Sequence, residues 1–277
     1  MGTWRMTQAL SDAERLDVLD LMNRTESRLG REAIDEGRRR TVVHRRAGEH
    51  WLRYRGEMLT GYALLTEGDP PTLEMCGGGC DPELGEAVMA LHGPIDWWTR
   101  GAEPAPGRPV MRRLLMLAVD LPVEVAPVPE GCVVRTFEPG RDDAAWLEQN
   151  NAAFANHPEQ GAWRPGDLAM RLREPWFDPS GFLLLECDGH LAASCWTKVH
   201  ELHPDRFGEI YVVSVEPRFQ GRGLGRVMVT QGLDALRHKG VARGVLFVDD
   251  RNTGARALYD SLGFRLERED RLVRLTP

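Results

Sequence analysis

The stretch from Glu209 to Arg226 constrains the chain more than any other. Ile210 to Val215 is an apolar run rich in β-branched residues and predicts a buried strand, which Pro217 stops. Gln220-Gly-Arg-Gly-Leu-Gly225 then predicts a glycine turn, and apolar residues at helical spacing from Val227 to Lys239 predict a helix. Strand, glycine turn and helix start together make an anion-binding device. Small residues let backbone N–H groups crowd one face, and the helix N-terminus adds partial positive charge. Gly221-x-Gly223-x-Gly225 lacks the G-x-G-x-x-G of a dinucleotide fold, and no Gly-Lys-Ser/Thr follows as a P-loop requires. An ordinary strand-to-helix turn is the plain alternative.

A chain of 277 residues fits two domains of average size. Lys plus Arg at 35 against Asp plus Glu at 42 gives a net charge of −7, which argues against a protein that coats nucleic acid. Arg38-Arg39-Arg40, with Arg45 and Arg46 behind it, has no interleaved aromatics and reads as a solvated helix face. No run approaches the roughly 20 apolar residues of a membrane span, and the N-terminus lacks a signal-peptide core. Five cysteines without framework spacing suggest a reducing cytoplasm, with Cys187 and Cys195 as core residues. Cys76 and Cys80 flank three glycines, but no second pair completes a zinc site, so no metal is expected. A monomer is the expected state.

Ser11 followed by Glu14 predicts a capping box opening a helix through about Met22, and a second helix is expected from Glu32 to Arg40. Strands are expected at His50–Tyr54, Met58–Leu65, Thr72–Cys76 and Met111–Val119, with a helix from Asp81 to Leu91. The Pro/Gly stretch from Gly101 to Pro109 cannot be helix. Leu121 to Pro129 is extended and proline-spaced and reads as a linker, placing domains at 1–120 and 131–277 with a connection at 121–130. The second half predicts strand Val133–Phe137 and helices Asp142–Phe154 and Gly166–Arg173. A hairpin around Asp188-Gly189 follows, then the Glu209 strand, the Val227 helix, strand Gly244–Val248, helix Asn252–Ser261 and a closing strand after Phe264.

Read as Gln220-x-x-Gly223-x-Gly225, the glycine loop resembles the pyrophosphate loop of the GNAT acetyltransferases, and the element order is similar to theirs. The resemblance implies an α/β fold of two tandem GNAT domains, each a mixed, mostly antiparallel central sheet flanked by helices. It also implies acetyl-CoA as co-substrate. Transfer of an acetyl group to an amine needs a neutral amine, a polarised thioester carbonyl and a proton for the leaving thiolate. Glu209 is the candidate base, with a cross-strand ion pair to Lys198 as its plain alternative. Tyr259, in Asn252-Thr-Gly-Ala-Arg-Ala-Leu-Tyr259, is the candidate acid, with packing beside Leu258 and Leu262 as the alternative. Asn252 also suits a helix N-cap, and Arg222 and Arg226 suit CoA phosphates.

Asn150 to Trp163, Glu174 to Phe182, Cys195-Trp-Thr-Lys-Val-His200 and Gly208-Glu-Ile-Tyr-Val-Val213 are long and idiosyncratic, and they resemble the mycothiol synthase family of tandem GNAT enzymes. The match is dense from about Gly131 to Phe264 and thin before Leu121. It implies acetylation of the cysteinyl amine of desacetylmycothiol. Glu36, Glu159, Lys198 and Glu209 would contact the acceptor, with Phe247 standing where the family carries a contacting tyrosine. Acetyl-CoA would be held by Val213, Ser214 and Val215, by Gln220, Gly221, Arg222, Gly223, Leu224, Gly225 and Arg226, and by Asn252, Thr253, Gly254, Ala255, Arg256 and Ala257. The N-terminal lobe has Met75-Cys-Gly-Gly-Gly-Cys-Asp-Pro-Glu83 in place of a pyrophosphate loop and is expected to be degenerate. Two rival readings are a GNAT enzyme for another amine, such as an aminoglycoside or a protein N-terminus, and a non-catalytic acetyl-CoA sensor. Intact Glu209 and Tyr259 speak against the sensor.

Overall fold

β-Branched and aromatic runs alternate with amphipathic stretches along the whole chain, and the runs pair into one twelve-stranded sheet. The computed structural model describes residues 3–29, 32–46, 48–77, 81–101, 108–155, 162–201 and 206–277. The first half comprises β1 (Trp4–Thr7), α1 (Asp12–Leu29), α2 (Glu36–Val43), β2 (Glu49–Arg55), β3 (Met58–Thr66), β4 (Thr72–Cys76), α3 (Pro82–His92), β5 (Ile95–Arg100) and β6 (Val110–Asp120). The second comprises β7 (Cys132–Thr136), α4 (Asp143–Ala153), α5 (Pro165–Arg171), β8 (Phe182–Cys187), β9 (His190–His200) and β10 (Phe207–Val215). α6 (Leu224–His238), β11 (Arg243–Asp249), α7 (Thr253–Ser261) and β12 (Arg265–Leu275) complete it. The expected capping box opens α1: Glu14 N–H donates to Ser11 Oγ at 3.3 Å and Ser11 N–H to Glu14 Oε2 at 2.8 Å.

Spatial order along the sheet is β1-β2-β3-β4-β5-β12-β6-β11-β10-β9-β8-β7. The last strand of each half has therefore crossed into the other. β12 lies between β5 and β6, and Val273 and Leu275 are buried among Leu73, Leu84, Val88 and Trp97 of the first half. β6 pairs with β11 from Arg243↔Asp120 to Asp249↔Leu114, and Leu115 and Leu117 sink into the second half's core. A boundary at residue 120 follows the chain, but the sheet interleaves the halves. Burying those four side chains stabilises by about 1.5–3 kcal/mol each, so the exchange ties the lobes together.

Two expectations change here. The arginines of α2 are paired rather than solvated: Arg39 reaches Glu26 at 2.9 Å, Arg40 reaches Glu36 at 3.1 Å, and Arg38 lies 3.4 Å from the fully buried Glu74. Cys132 and Cys187, directly opposite on β7 and β8, form a disulfide, so cysteine count alone misjudged them. Facing positions on an antiparallel pair bring Cβ atoms within bridging range, which spacing along the chain cannot reveal. β1 and β5 are strands that the pattern did not mark. Cys80 and the 102–107 stretch lie outside the described residues.

Candidate functional site

β10 is the hinge of the site. It runs antiparallel to β9 along most of its length but parallel to β11 only over Gly208–Ile210, opposite Gly244–Leu246. Register against β9 shifts between Ile210 and Val212, so Tyr211 occupies a bulge, and bulges bend a strand. Past that point β10 and β11 part. The edge of β10 that carries Val213, Ser214 and Val215 and faces β11 is left without a strand partner among the described residues. Ser214 itself turns the other way and bonds Gln149 and Ser194 at 3.0 and 2.9 Å, so any ligand contact there is through backbone.

At the end of β10 the glycine turn leads into α6. Gly221 and Gly223 have φ of 75° and 77°, left-handed values that a side chain disfavours, and a Cβ on either would meet open space. Gly223 is the N-cap position, and no side chain among the described residues caps the helix. The first N–H groups of α6 thus face outward in a way that suits a diphosphate. Gln220 Nε2 donates back to Val215 O at 3.2 Å and closes the turn. Leu224 is buried, and a Cβ on Gly225 would stand 3.4 Å from Leu258, so these two serve helix packing and offer only backbone to a ligand. The first-half counterpart is closed: Asp81 caps α3, accepting from Leu84 N–H at 3.2 Å, and is held by Arg53 at 2.6 Å and Trp4 at 3.0 Å.

Of the expected cofactor arginines, Arg222 has no ion pair among the described residues, and its guanidinium lies 5.2 Å from the Phe219 ring. Arg226 donates to Ser261 Oγ, and Arg256 to Asp250, so both already have partners. Asn252 caps α7 through Ala255 N–H at 3.1 Å, while Thr253, Gly254 and Ala257 are exposed along its first turns. Tyr259 sits on the buried side of α7, its ring 5.6 Å from Phe264. Burial, reinforced by the nearby Cys195 thiol, pushes its phenol well above the usual range, so it keeps its proton through neutrality.

The opposite face of β9 and β10 meets the first half. Lys198 and Glu209 are cross-strand neighbours, but their side chains part. Lys198 Nζ reaches Glu32 at 3.3 Å and Glu36 at 3.8 Å and lies 5.0 Å over the Trp176 ring. Glu209 Oε2 instead meets His200 Nε2 at 2.6 Å, so the ion pair to Lys198, the alternative to a catalytic Glu209, is replaced by Glu209–His200. His200 stacks on Phe207 with ring centroids 4.4 Å apart. Burial alone would lower the Lys198 amine, but Glu32, Glu36 and Glu209 outweigh it and hold it above its ordinary value. Burial raises the Glu36 carboxyl against the pull of Lys198. Glu32 is also raised by burial, but Lys198, His200 and Arg100 together bring it below its usual range. Arg171 donates to Tyr211 Oη at 2.9 Å and covers the Trp163 ring at 3.9 Å. Phe247 shares the face with Phe207 and Val245, with the Arg268 guanidinium 5.7 Å from its ring.

Glu36, Lys198, Glu209 and Phe247, widely spaced in sequence, thus gather on one face between the halves. Glu159 lies outside the described residues. Sequence reasoning gave no role to His200, Glu32, Arg171 or Tyr211. Strand alternation was the available signal for His200, which shares a face with Trp196 and Lys198.

Residues 146–264 match the Acetyltransferase (GNAT) family. A solved GCN5-related N-acetyltransferase from Sphaerobacter thermophilus, 18% identical, has a TM-score of 0.68 over 98% of this chain and 95% of its own. A tandem GNAT protein from the clavulanic acid biosynthesis pathway, also 18% identical, has a TM-score of 0.68 over 99% and 98%. Fold and family match define the class: a tandem GNAT acetyltransferase, an acyl-transferring enzyme. A mycothiol acetyltransferase from Streptomyces griseus subsp. griseus is 41% identical over 288 residues, spanning 96% of this chain and 93% of its own. The chain belongs to the mycothiol acetyltransferase family.

Proposed function

We propose that this enzyme transfers the acetyl group of acetyl-CoA to the cysteinyl amine of desacetylmycothiol, in a ternary complex and with no acyl-enzyme. The observation that carries the reading is the Lys198–Glu32–Glu36 cluster that joins the two halves, with Glu209 next to Lys198 across the strand pair and just ahead of the splayed edge of β10. A pseudodisaccharide covered in hydroxyls is better matched by charged side chains in a cleft than by an apolar slot. Acetyl-CoA supplies the activated acyl carbon when bound. Gly221 to Gly225 and the start of α6 would hold its diphosphate, the Val213–Val215 backbone and Asn252 its pantetheine arm.

Glu209 would accept the proton that the acceptor ammonium must lose. Tyr259 keeps its phenolic proton and would offer it to the departing thiolate; its raised affinity for that proton favours hydrogen bonding over complete transfer. Lys198, Glu36 and Glu159 would orient the acceptor's hydroxyls.

The acceptor carries both an amine and a thiol, and an S-acetyl group would migrate to the free amine, so the test uses the acceptor with its thiol S-methylated. After incubation with acetyl-CoA, the product should carry one acetyl group that neutral hydroxylamine does not remove, marking an amide. No acetylated product from the S-methylated acceptor would reject the assignment.

A further inference from the structure

Glu36 rides on a helix that cannot place itself. α2 is eight residues long, Glu36–Val43, with a glycine in second position. A helix that short has little stability of its own in water, so its placement comes from what it is tied to. Ile34 and Val42 anchor its two ends in the first half's core. The tie at its first turn is Glu74 of β4, which is fully buried. Both Glu74 oxygens accept from the N–H of Asp35, the residue just before Glu36, at 3.2 Å each, and the Arg38 guanidinium of the same helix lies 3.4 Å away. On its other side Glu74 pairs with Arg100 of β5, which lies 3.5 Å from Asp270 of β12.

From this geometry we propose that Glu74 is a positioning residue for the acceptor: it fixes the first turn of α2, and through it the Glu36 carboxylate, against Lys198 of the second half. This rests on Glu36 meeting the acceptor. The Glu36 carboxylate lies 3.8 Å from Lys198 and 3.1 Å from Arg40, and Lys198 also reaches Glu32 at 3.3 Å. A line of charge thus leaves the second half at Asp270, passes through Arg100, Glu74 and α2, and returns to the second half at Lys198. Glu74 is the link in that line that no solvent can replace. A buried carboxylate paired on every side resists displacement, because any shift leaves charges unpaired where water cannot reach them.

The position of Glu74 in the fold supports this use. β4 has an antiparallel neighbour, β3, on one side and a parallel one, β5, on the other, as β10 has β9 and β11. Leu73 packs with Leu84 and Val88 of α3, and Ile210 packs with Met228 of α6. By alternation Glu74 and Glu209 both point away from those helices. The second half sets its carboxylate beside His200, whereas the first half closes its own between two arginines and a backbone N–H. That enclosure suits a tie and not an exchange of protons.

Glu74→Gln keeps the size of the side chain and an acceptor for Asp35 N–H but no longer balances Arg38 and Arg100. Arg38→Met loosens the same tie from the helix side and leaves Glu74 paired with Arg100. Each is made alone and together with Glu36→Gln. Acetyl transfer to desacetylmycothiol is followed by product mass, acetyl-CoA affinity by calorimetry and folding by a thermal melt. Glu74→Gln and Arg38→Met should each raise KM for desacetylmycothiol about tenfold or more, while kcat and acetyl-CoA affinity stay within about threefold. In the Glu36→Gln background the same substitutions should change kcat/KM by less than about threefold, because the group they position is already gone. An unchanged KM, a loss of equal size in both backgrounds, or an equal loss of acetyl-CoA affinity would each overturn the proposal. If Glu74→Gln does not fold, Arg38→Met decides alone through the same cycle. Glu36→Gln by itself separates the two levels. Should it turn over desacetylmycothiol like wild type, the acceptor contact fails and the positioning role with it; should it be impaired while Glu74→Gln and Arg38→Met are not, only the positioning role fails.

Discussion

Gly223→Asp tests the start of α6 with little disturbance to the fold. The position is left-handed, φ 77°, and a Cβ there meets nothing within 4 Å, so the substitution creates no clash. A left-handed conformation costs a non-glycine residue about 1–2 kcal/mol, less for Asp, and an aspartate in place of glycine at an N-cap returns about a few tenths of a kcal/mol by accepting helix N–H groups. Stability should therefore change by no more than about 1 kcal/mol, which moves the melting temperature only a few degrees. Binding should suffer far more. The new carboxylate occupies the N–H groups a diphosphate would use, and at about 4 Å from a phosphate charge it repels by up to ~4 kcal/mol at an effective dielectric near 20. Screening reduces that figure, so the expected loss in acetyl-CoA affinity is on the order of a hundredfold or more. The first half already carries this arrangement, with Asp81 capping α3. Calorimetry with acetyl-CoA, paired with a thermal melt, measures both effects. A folded variant that binds within tenfold of wild type would refute the placement of the diphosphate.

Because Asp81 closes α3 while α6 has no side-chain cap, titration should find one tight acetyl-CoA site per chain; two sites of similar affinity would contradict that contrast. Alkylation of the denatured chain without reductant should label Cys76 and Cys195 but spare Cys132 and Cys187, as read by peptide mass. In the native chain Cys195 should resist alkylation at pH 8, since burial pushes its thiol up to about 12. The same shift implies stability that is intact below the unfolded thiol's pKa of about 8.5 and declines as pH rises toward 12. Ending the chain at Gly263 removes β12 and with it Val273 and Leu275, about 3–6 kcal/mol of burial drawn from the first half's core, and should abolish cooperative unfolding of that half. A sharp, unchanged melt would show that the exchanged strand is dispensable.

Local chemistry made much of this molecule legible. The run at Ile210–Val215, its stop at Pro217 and the glycines after it fixed β10, the turn and α6, because each residue acts through its own backbone preference. Ser11 and Glu14 marked α1 for the same reason. What depends on distant partners was not legible. Nothing local says that Arg265–Leu275 crosses to pair with β5, since a strand's pattern records that a face is buried and not against what. Cross-strand position offered a Lys198–Glu209 ion pair as the alternative to a catalytic Glu209, yet Glu32 and Glu36 arrive from the other half and take Lys198, leaving Glu209 to His200. Gly225 belonged to the motif, but Leu258 of α7 explains it equally well.

The central claim is that the charged face between the halves selects a cysteinyl pseudodisaccharide amine, and kcat/KM across acceptors measures it directly. Desacetylmycothiol, an aminoglycoside and a peptide with a free N-terminus would be compared on the wild-type enzyme and on Lys198→Met. The account predicts at least about a hundredfold preference for desacetylmycothiol in the wild type. Removing the Lys198 ammonium from beside Glu32 and Glu36 in Lys198→Met should lower kcat/KM for that acceptor by about 2 kcal/mol or more, roughly thirtyfold, with acetyl-CoA affinity unchanged. Equal kcat/KM for the three amines, or a Lys198→Met enzyme that still turns over desacetylmycothiol like wild type, would contradict it.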